Sequence, residues 1–274
     1  MALLWHKQTQ DTLYEVRTAG RSRRLYTNGV FHSQYHPDRA HSGGVWDLLV
    51  LPAFFRPPGR IKHVLLLGVG GGSVIHLLRR FVQPEEIIGV ELSRTHLQIA
   101  RQFFGIKKDM ATLHHADAVD WLNAYDGPPF DLIIDDLFGS EGTDERAVPA
   151  DKNWCTTLLG NLNKQGTLVM NFIGRRALMR CACITEPSVA RHFKSAFQLS
   201  LPAYENRIGV FLGAPGSAKG LRNNIEGIAA FGRGQLDFRL RALGFPGKPV
   251  DSFHPSPKAP TVGTPTLSPQ GERG

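Results

Sequence analysis

Val64-Leu65-Leu66-Leu67-Gly68-Val69-Gly70-Gly71-Gly72-Ser73 sets an unbroken apolar run directly against a cluster of glycines. An apolar run without polar alternation describes a strand covered on both faces. Glycine then lets the backbone turn sharply and approach a ligand, because no Cβ stands in the way. The following VIHLLRRF has helical periodicity. Strand, glycine turn and helix in that order open an α/β ligand-binding unit. Two phosphate-binding forms of the turn are excluded. Counted from Gly68, the dinucleotide pattern G-x-G-x-x-G needs a third glycine where Ser73 stands, and the P-loop's Gly-Lys-Ser/Thr is absent. What remains is G-x-G-x-G, suited to a nucleoside with no phosphate to cradle.

Downstream the rhythm repeats. EIIGVEL (86–92), ATLHHA (111–116), FDLIIDDLF (130–138), GTLVMNF (166–172) and RIGVFLGA (207–214) read as strands. SRTHLQIARQFF (93–104) with Ser93 as N-cap, DAVDWLNAY (117–125), DKNWCTTLLGNL (151–162) and PSVARHFKSAF (187–197) read as helices. Apolar strands separated by helices predict a Rossmann-like α/β domain with a parallel sheet, its ligand beyond the strands' carboxyl ends. Upstream, LYEVRT, RRLYT and VFHSQ are short strands, with Asn28-Gly29 as a hairpin turn. VWDLLVLPAFF (45–55) is a helix ending before Pro57-Pro58. The expected organisation is a β-hairpin region over 1–44, the binding domain over 45–244 and a Pro-rich tail over 245–274. The tail has few large apolar side chains to offset its ordering entropy and reads as disordered.

Four further positions carry chemistry at strand ends. Glu91 closes the second strand of the repeat, where a carboxylate can accept both hydroxyls of a ribose. Asp117 follows the third strand; it can take a hydrogen bond from an exocyclic adenine amine, or simply cap the next helix. Asp135 and Asp136 close the fourth. Adjacent carboxylates on an apolar strand face opposite sides, so one can face the pocket and take a proton from a nucleophile.

Other classes are excluded or disfavoured. The chain has 274 residues, 42% hydrophobic, so a sizeable core is available. Its formal net charge of +8 sits in the flanks, +5 over 1–62 and +4 over 213–274, while 63–212 carries −1. Without a Lys/Arg cluster interleaved with aromatics, nucleic acid is a poor partner. No apolar run reaches the ~18 residues of a membrane span, and the start of the chain lacks a signal peptide's apolar region. Three cysteines make no disulfide framework and lack zinc-ligand spacing, so a reducing cytoplasm is expected. His32, His36 and His41 match no metal motif, and no metal is expected. His114-His115 alternates faces along a strand, and Cys181-x-Cys183 reads as helix packing. No G-x-S-x-G element is present. A small-molecule acceptor and, at most, a homodimer are the partners left open.

From about Leu13 to Ala214 the chain resembles the spermidine/spermine synthase family, within the class I AdoMet-dependent methyltransferase fold. RLYTNGVFHSQ echoes the family's LxLDGxxQ, and VLLLGVGGGS, GVELS, HADAVDWL and FDLIIDDLFG follow in the family's order and spacing. The resemblance implies that Gly68, Gly70 and Gly72 line the methionine-like end of the donor, AdoMet or decarboxylated AdoMet. It implies that Glu91 holds the ribose and Asp117 the adenine. It sets Asp136 on the family's catalytic aspartate, with Asp135 as a second candidate.

The chain also departs from that pattern. The family loop reads GGGDG, and its acidic position falls on Gly71. A second acidic position falls on Gly139, and the hairpin glutamine falls on His32, with Gln34 close by. Losing two carboxylates weakens the field that would hold a polycation; Glu141, Asp144 and Glu145 could restore part of it. The expected activity is alkyl (aminopropyl) transfer from an AdoMet-type sulfonium to an amine. Methyl transfer on the same frame and a non-catalytic nucleoside-binding module are the alternatives.

Overall fold

A computed structural model describes residues 1–138, 146–232 and 234–245. The predicted tail beyond Phe245, together with Gly139, Glu141, Asp144 and Glu145, lies outside the described residues.

The N-terminal region is a four-stranded antiparallel sheet in chain order, β1 Ala2–Gln8, β2 Leu13–Ala19, β3 Ser22–Thr27 and β4 Val30–Tyr35. Asn28 and Gly29 take φ of 48° and 81°, the left-handed pair that a tight hairpin between β3 and β4 requires. The sequence reading missed β1, whose side chains are nearly all exposed and so give no apolar alternation.

The main sheet contains β5 His63–Leu67, β6 Glu86–Glu91, β7 Thr112–His115 and β8 Phe130–Asp135. β9 Leu162–Ile173, β10 Ser195–Ser200, β11 Asn206–Leu212 and β12 Arg239–Leu243 complete it. Its spatial order is β12-β10-β11-β9-β8-β5-β6-β7. The helices are α1 Val45–Val50, α2 Ser73–Leu77, α3 Arg94–Gln102, α4 Ala118–Asn123 and α5 Lys152–Gly160. Short helices α6 Gly174–Arg180, α7 Ala182–Thr185 and α8 Pro187–Ala190 follow β9, and α9 Ala218–Ile225 follows β11. Ser93 caps α3 as expected, its Oγ accepting the His96 N–H.

The expectation of a parallel sheet holds for β5 to β9 and fails beyond. β11 runs antiparallel between β9 and β10, and β12 pairs antiparallel with β10. The predicted helix over 187–197 is likewise corrected. Only Pro187–Ala190 is helical, and Ser195–Ser200 is a strand. Its apolar spacing fits a helix, but ladders to β11 and β12 on both sides override that local preference.

Alternation along β5 divides the core. Val64 and Leu66 pack on the side of α1, α2 and α9, while Leu65 and Leu67 pack on the side of α4 to α8. A third cluster, Val16, Leu25, Ile99 and Phe104, seats the N-terminal sheet on α3. That seating brings β4 against the glycine turn. Ser33 Oγ accepts the Gly71 N–H at 2.7 Å, and Ser73 Oγ accepts the Gln34 N–H at 2.9 Å.

Candidate functional site

Gly68, Gly70 and Gly72 all have positive φ, at 84°, 54° and 89°, a conformation that favours glycine. The requirement for glycine is nevertheless internal. A Cβ on Gly70 would come 2.8 Å from Ser33 Oγ, and one on Gly72 would come 2.6 Å from Ile106 Cγ1. On Gly68 it would strike the Asp136 carbonyl. Gly71 has an ordinary φ, but its Cβ would lie 2.8 Å from both Phe104 Cε1 and Ser33 Cβ. The sequence reading expected added side chains here to block a ligand; they would first collide with β4, the segment after α3 and the chain leaving β8.

Glu91 ends β6 and is buried, not a surface residue. Its Oε2 accepts N–H groups of Val69 and Gly70, each at 2.9 Å, so it braces the turn directly. Oε1 accepts the Ser93 N–H at 2.9 Å and lies 3.4 Å from His96 Nδ1. Burial pushes this carboxyl up, but His96 and the N–H groups of Ser93 and Gly70 outweigh it and hold it below the usual range. His96 Nε2 in turn meets Thr27 Oγ1 at 2.8 Å, tying the turn to the N-terminal sheet. A carboxylate has about four acceptor positions. Glu91 therefore reaches a ribose only by yielding a partner, and His96 is the most distant of them.

Asp117 is exposed and caps α4, its Oδ1 accepting N–H groups of Val119 and Asp120. The capping alternative is thus realised, and Oδ2 stays available. Leu92, between these two acids in sequence, is 68% exposed. A large apolar side chain so placed offers a surface for a flat ring, and the sequence reading overlooked it.

The two aspartates at the end of β8 separate. Asp135 has no exposure, and its Oδ2 accepts from Arg146 Nη2 at 2.6 Å and Trp154 Nε1 at 2.8 Å. It is committed to an internal ion pair. Arg146 also donates to the Asn171 and Val148 carbonyls, so its guanidinium knits β8 to β9. Asp136 instead lines a cavity of about 260 Å³ with Phe31, His32, Trp46, Asn171 and Tyr204. Asn206 donates to Asn171 Oδ1 at 3.0 Å, and Asn171 donates to Asp136 Oδ1 at 2.8 Å. Burial pushes Asp136 up to about 6, with Asn171 pulling the other way and Asp135 adding to the rise. Asp136 is the one carboxylate among the cavity's described lining residues. Burial also drives His32 down to about 4, helped by His96 and opposed by Glu91, so its ring is neutral near pH 7.

No family model matches the chain. A polyamine aminopropyltransferase of Caldanaerobacter subterraneus is 28% identical over 141 residues, covering 50% of this chain and 43% of that protein. A mouse eEF1A lysine and N-terminal methyltransferase is 26% identical over 144 residues, covering 50% of this chain and 20% of that protein. The crystal structure of a probable spermidine synthase from Corynebacterium glutamicum superposes with a TM-score of 0.69, at 15% identity, over 88% of this chain and 91% of that one. About half of the chain is thus similar in sequence to aminopropyltransferases and methyltransferases alike, and its fold is that of the solved spermidine synthase. The chain spans less than half the length of the two curated relatives.

Glu91 and Ser33 of β4 hold the successive N–H groups of Gly70 and Gly71, and at Gly68 the turn lies against the Asp136 backbone. Asp117 follows the carboxyl end of β7, where His115 pairs with Glu91, and Asp135 points into the protein. Arg146, Asn171 and His96 were missed by sequence reasoning. Asn171 left a signal as a polar residue inside the apolar run GTLVMNF; Arg146 left none, because its partner is fixed only by the fold. His114 packs on Trp121, and His115 Nε2 meets the Leu92 carbonyl. Cys155, Cys181 and Cys183 are free and buried, with 3.5 Å between the Cys155 and Cys183 sulfurs. No helix among the described residues is long and apolar enough to cross a membrane.

Proposed function

We propose that the chain transfers an alkyl group, with aminopropyl favoured, from an AdoMet-type sulfonium to an amine, using Asp136 to take up the proton. The observation that carries this reading is the isolated, half-hydrogen-bonded Asp136 carboxylate in an otherwise uncharged cavity beside the glycine turn. The amine lone pair attacks the carbon bonded to sulfur. A C–N bond forms, the C–S bond breaks with its electron pair going to sulfur, and the neutral thioether leaves. The nitrogen loses a proton to Asp136. Since the sulfonium is already a good leaving group, the protein's part is to align the acceptor and keep its lone pair free.

The remaining roles belong to the same proposal. Gly68, Gly70 and Gly72 leave the backbone bare where the donor's amino-acid end lies, Glu91 takes a ribose hydroxyl in place of His96 and Asp117 Oδ2 the adenine amine. Asp135 supports Asp136 from behind through Arg146, which holds β9 and with it Asn171. A reducing compartment suits the three free buried thiols. A homodimer stays within the reading because Leu3 and Leu4, on the edge strand β1, are large apolar side chains left about half exposed.

Methyl transfer to an amine is the second reading, favoured by Gly71: a bare position there places no anion against the carboxylate of intact AdoMet. Calorimetry with AdoMet, decarboxylated AdoMet and methylthioadenosine tests both. Tight binding of decarboxylated AdoMet supports aminopropyl transfer, binding of AdoMet alone supports methyl transfer, and binding of none overturns both.

A further inference from the structure

A second cavity, of about 290 Å³, lies behind the glycine turn, between the chain leaving β4 and the helical segment that begins with α2. Its polar wall is basic. Arg39 comes from one side and Arg79 and Arg80 from the other, joined by His36 and by the stacked rings of Tyr35 and His76, 4.0 Å apart. No carboxylate is among its described lining residues. Two acids stand behind that wall, each already partnered. Asp38 pairs with Arg21 and lies 4.0 Å from His36 Nδ1, and buried Asp47 accepts from Ser42 Oγ and the Gly44 N–H and lies 3.9 Å from His41 Nδ1.

Several donors remain uncommitted. Arg79 binds the Met110 carbonyl through Nε and the Pro84 carbonyl through Nη1, which fixes its guanidinium and leaves Nη2. His36 accepts the Asp38 N–H at Nδ1, so in its neutral form the proton sits on Nε2. Arg39 and Arg80 are exposed at the rim, Arg80 resting against the Phe81 ring. Guanidinium forks match phosphate oxygens in geometry and charge.

We propose that this cavity is a binding site for a small phosphate-bearing anion, separate from the donor and acceptor sites. Its cations line one open cavity of limited size instead of forming a row. That favours a small molecule over a nucleic acid, which needs successive phosphate contacts. The Tyr35–His76 pair supplies a flat wall for any ring attached to the phosphate. Occupancy reaches the donor turn through short links, because β4 contributes Gln34 and Tyr35 to the cavity and Ser33 to the Gly71 N–H.

The test is titration of the whole chain with inorganic phosphate and pyrophosphate, followed by calorimetry at ionic strength held constant with sodium chloride. No sulfonium donor is present, so the result does not depend on the proposed transfer. Saturable binding is expected, weakened roughly tenfold or more by Arg39→Gln with Arg80→Gln. Both side chains are exposed, and circular dichroism checks that the fold is kept. Absence of saturation, unchanged affinity in the double variant, or binding of a single-stranded oligonucleotide but of neither phosphate would overturn the proposal.

Discussion

Asn171 donates its side-chain N–H to Asp136 Oδ1 at 2.8 Å, and Asn206 fixes the orientation of that amide by donating to its oxygen at 3.0 Å. The chain of amides leaves the second oxygen of Asp136 facing the cavity. It also supports the charged form of a carboxyl that burial pushes up to about 6.

Activity should therefore rise with pH through about 6, as Asp136 loses its proton. Replacing Asn171 with Leu removes the group that favours the charged form, so the acidic limb of the rate profile should move to higher pH. Stability runs the other way. Between the ordinary 3.8 and about 6 the folded chain keeps a proton that the unfolded chain has released, so this group's contribution falls as pH rises through that window. Asp136→Asn should lower turnover by roughly 10²–10⁴-fold while raising the melting temperature above pH 6 and not below pH 4. A pH series of rates and melting curves checks both; a profile unmoved in Asn171→Leu contradicts the role of the amide.

Arg146→Met should act on stability first. Asp135 has no exposure, and without the guanidinium its carboxylate would be buried with only Trp154 and the Leu137 N–H. Breaking a buried pair in this way costs about 3–5 kcal/mol, which for a domain of this size lowers the melting temperature by roughly 6–20 °C. Thermal denaturation measures it, and a shift under about 2 °C would show that another cation takes over.

These two aspartates also show what the sequence could and could not reveal. The glycine turn, the caps at Ser93 and Asp117 and the parallel strands were legible because each depends on neighbours in the chain. Which of Asp135 and Asp136 faces the cavity was not legible in the residue pattern, since either face of an internal strand is covered and Arg146 arrives from a distant segment; only the family resemblance singled out Asp136. β10 was misread for a related reason. Ala196 and Phe197 fit a helical pattern, and only pairing with β11 and β12 makes them a strand.

At the turn, Gly70→Val should impair donor binding by displacing β4, because its side chain meets Ser33 Oγ before any ligand. Gly71→Asp, which would restore the acid of the related loop, overpacks Phe104 and Ser33 and should cost about 1–3 kcal/mol. Its putrescine turnover should not rise. Chemical denaturation with a donor titration separates the effects; a stable Gly71→Asp variant with gained polyamine activity contradicts the packing argument.

Putrescine should be a poor acceptor for the unmodified chain. Beyond Asp136, a second ammonium would meet Phe31, Trp46 and Ile173. Each missing charge partner is worth about 1–3 kcal/mol, so a diamine loses roughly tenfold or more against an amine with one charge and an apolar body. Trp46 fluorescence during titration with putrescine and phenethylamine reports the preference. Tighter putrescine binding would mean that carboxylates outside the described residues, such as Glu141, Asp144 or Glu145, complete the site.

Product analysis after incubation with decarboxylated AdoMet and a panel of amines tests the central claim most directly. The account predicts methylthioadenosine released one for one with an aminopropylated amine, abolished in Asp136→Asn while that variant still binds the donor. Release of S-adenosylhomocysteine from AdoMet in its place, or full turnover by Asp136→Asn, would contradict it.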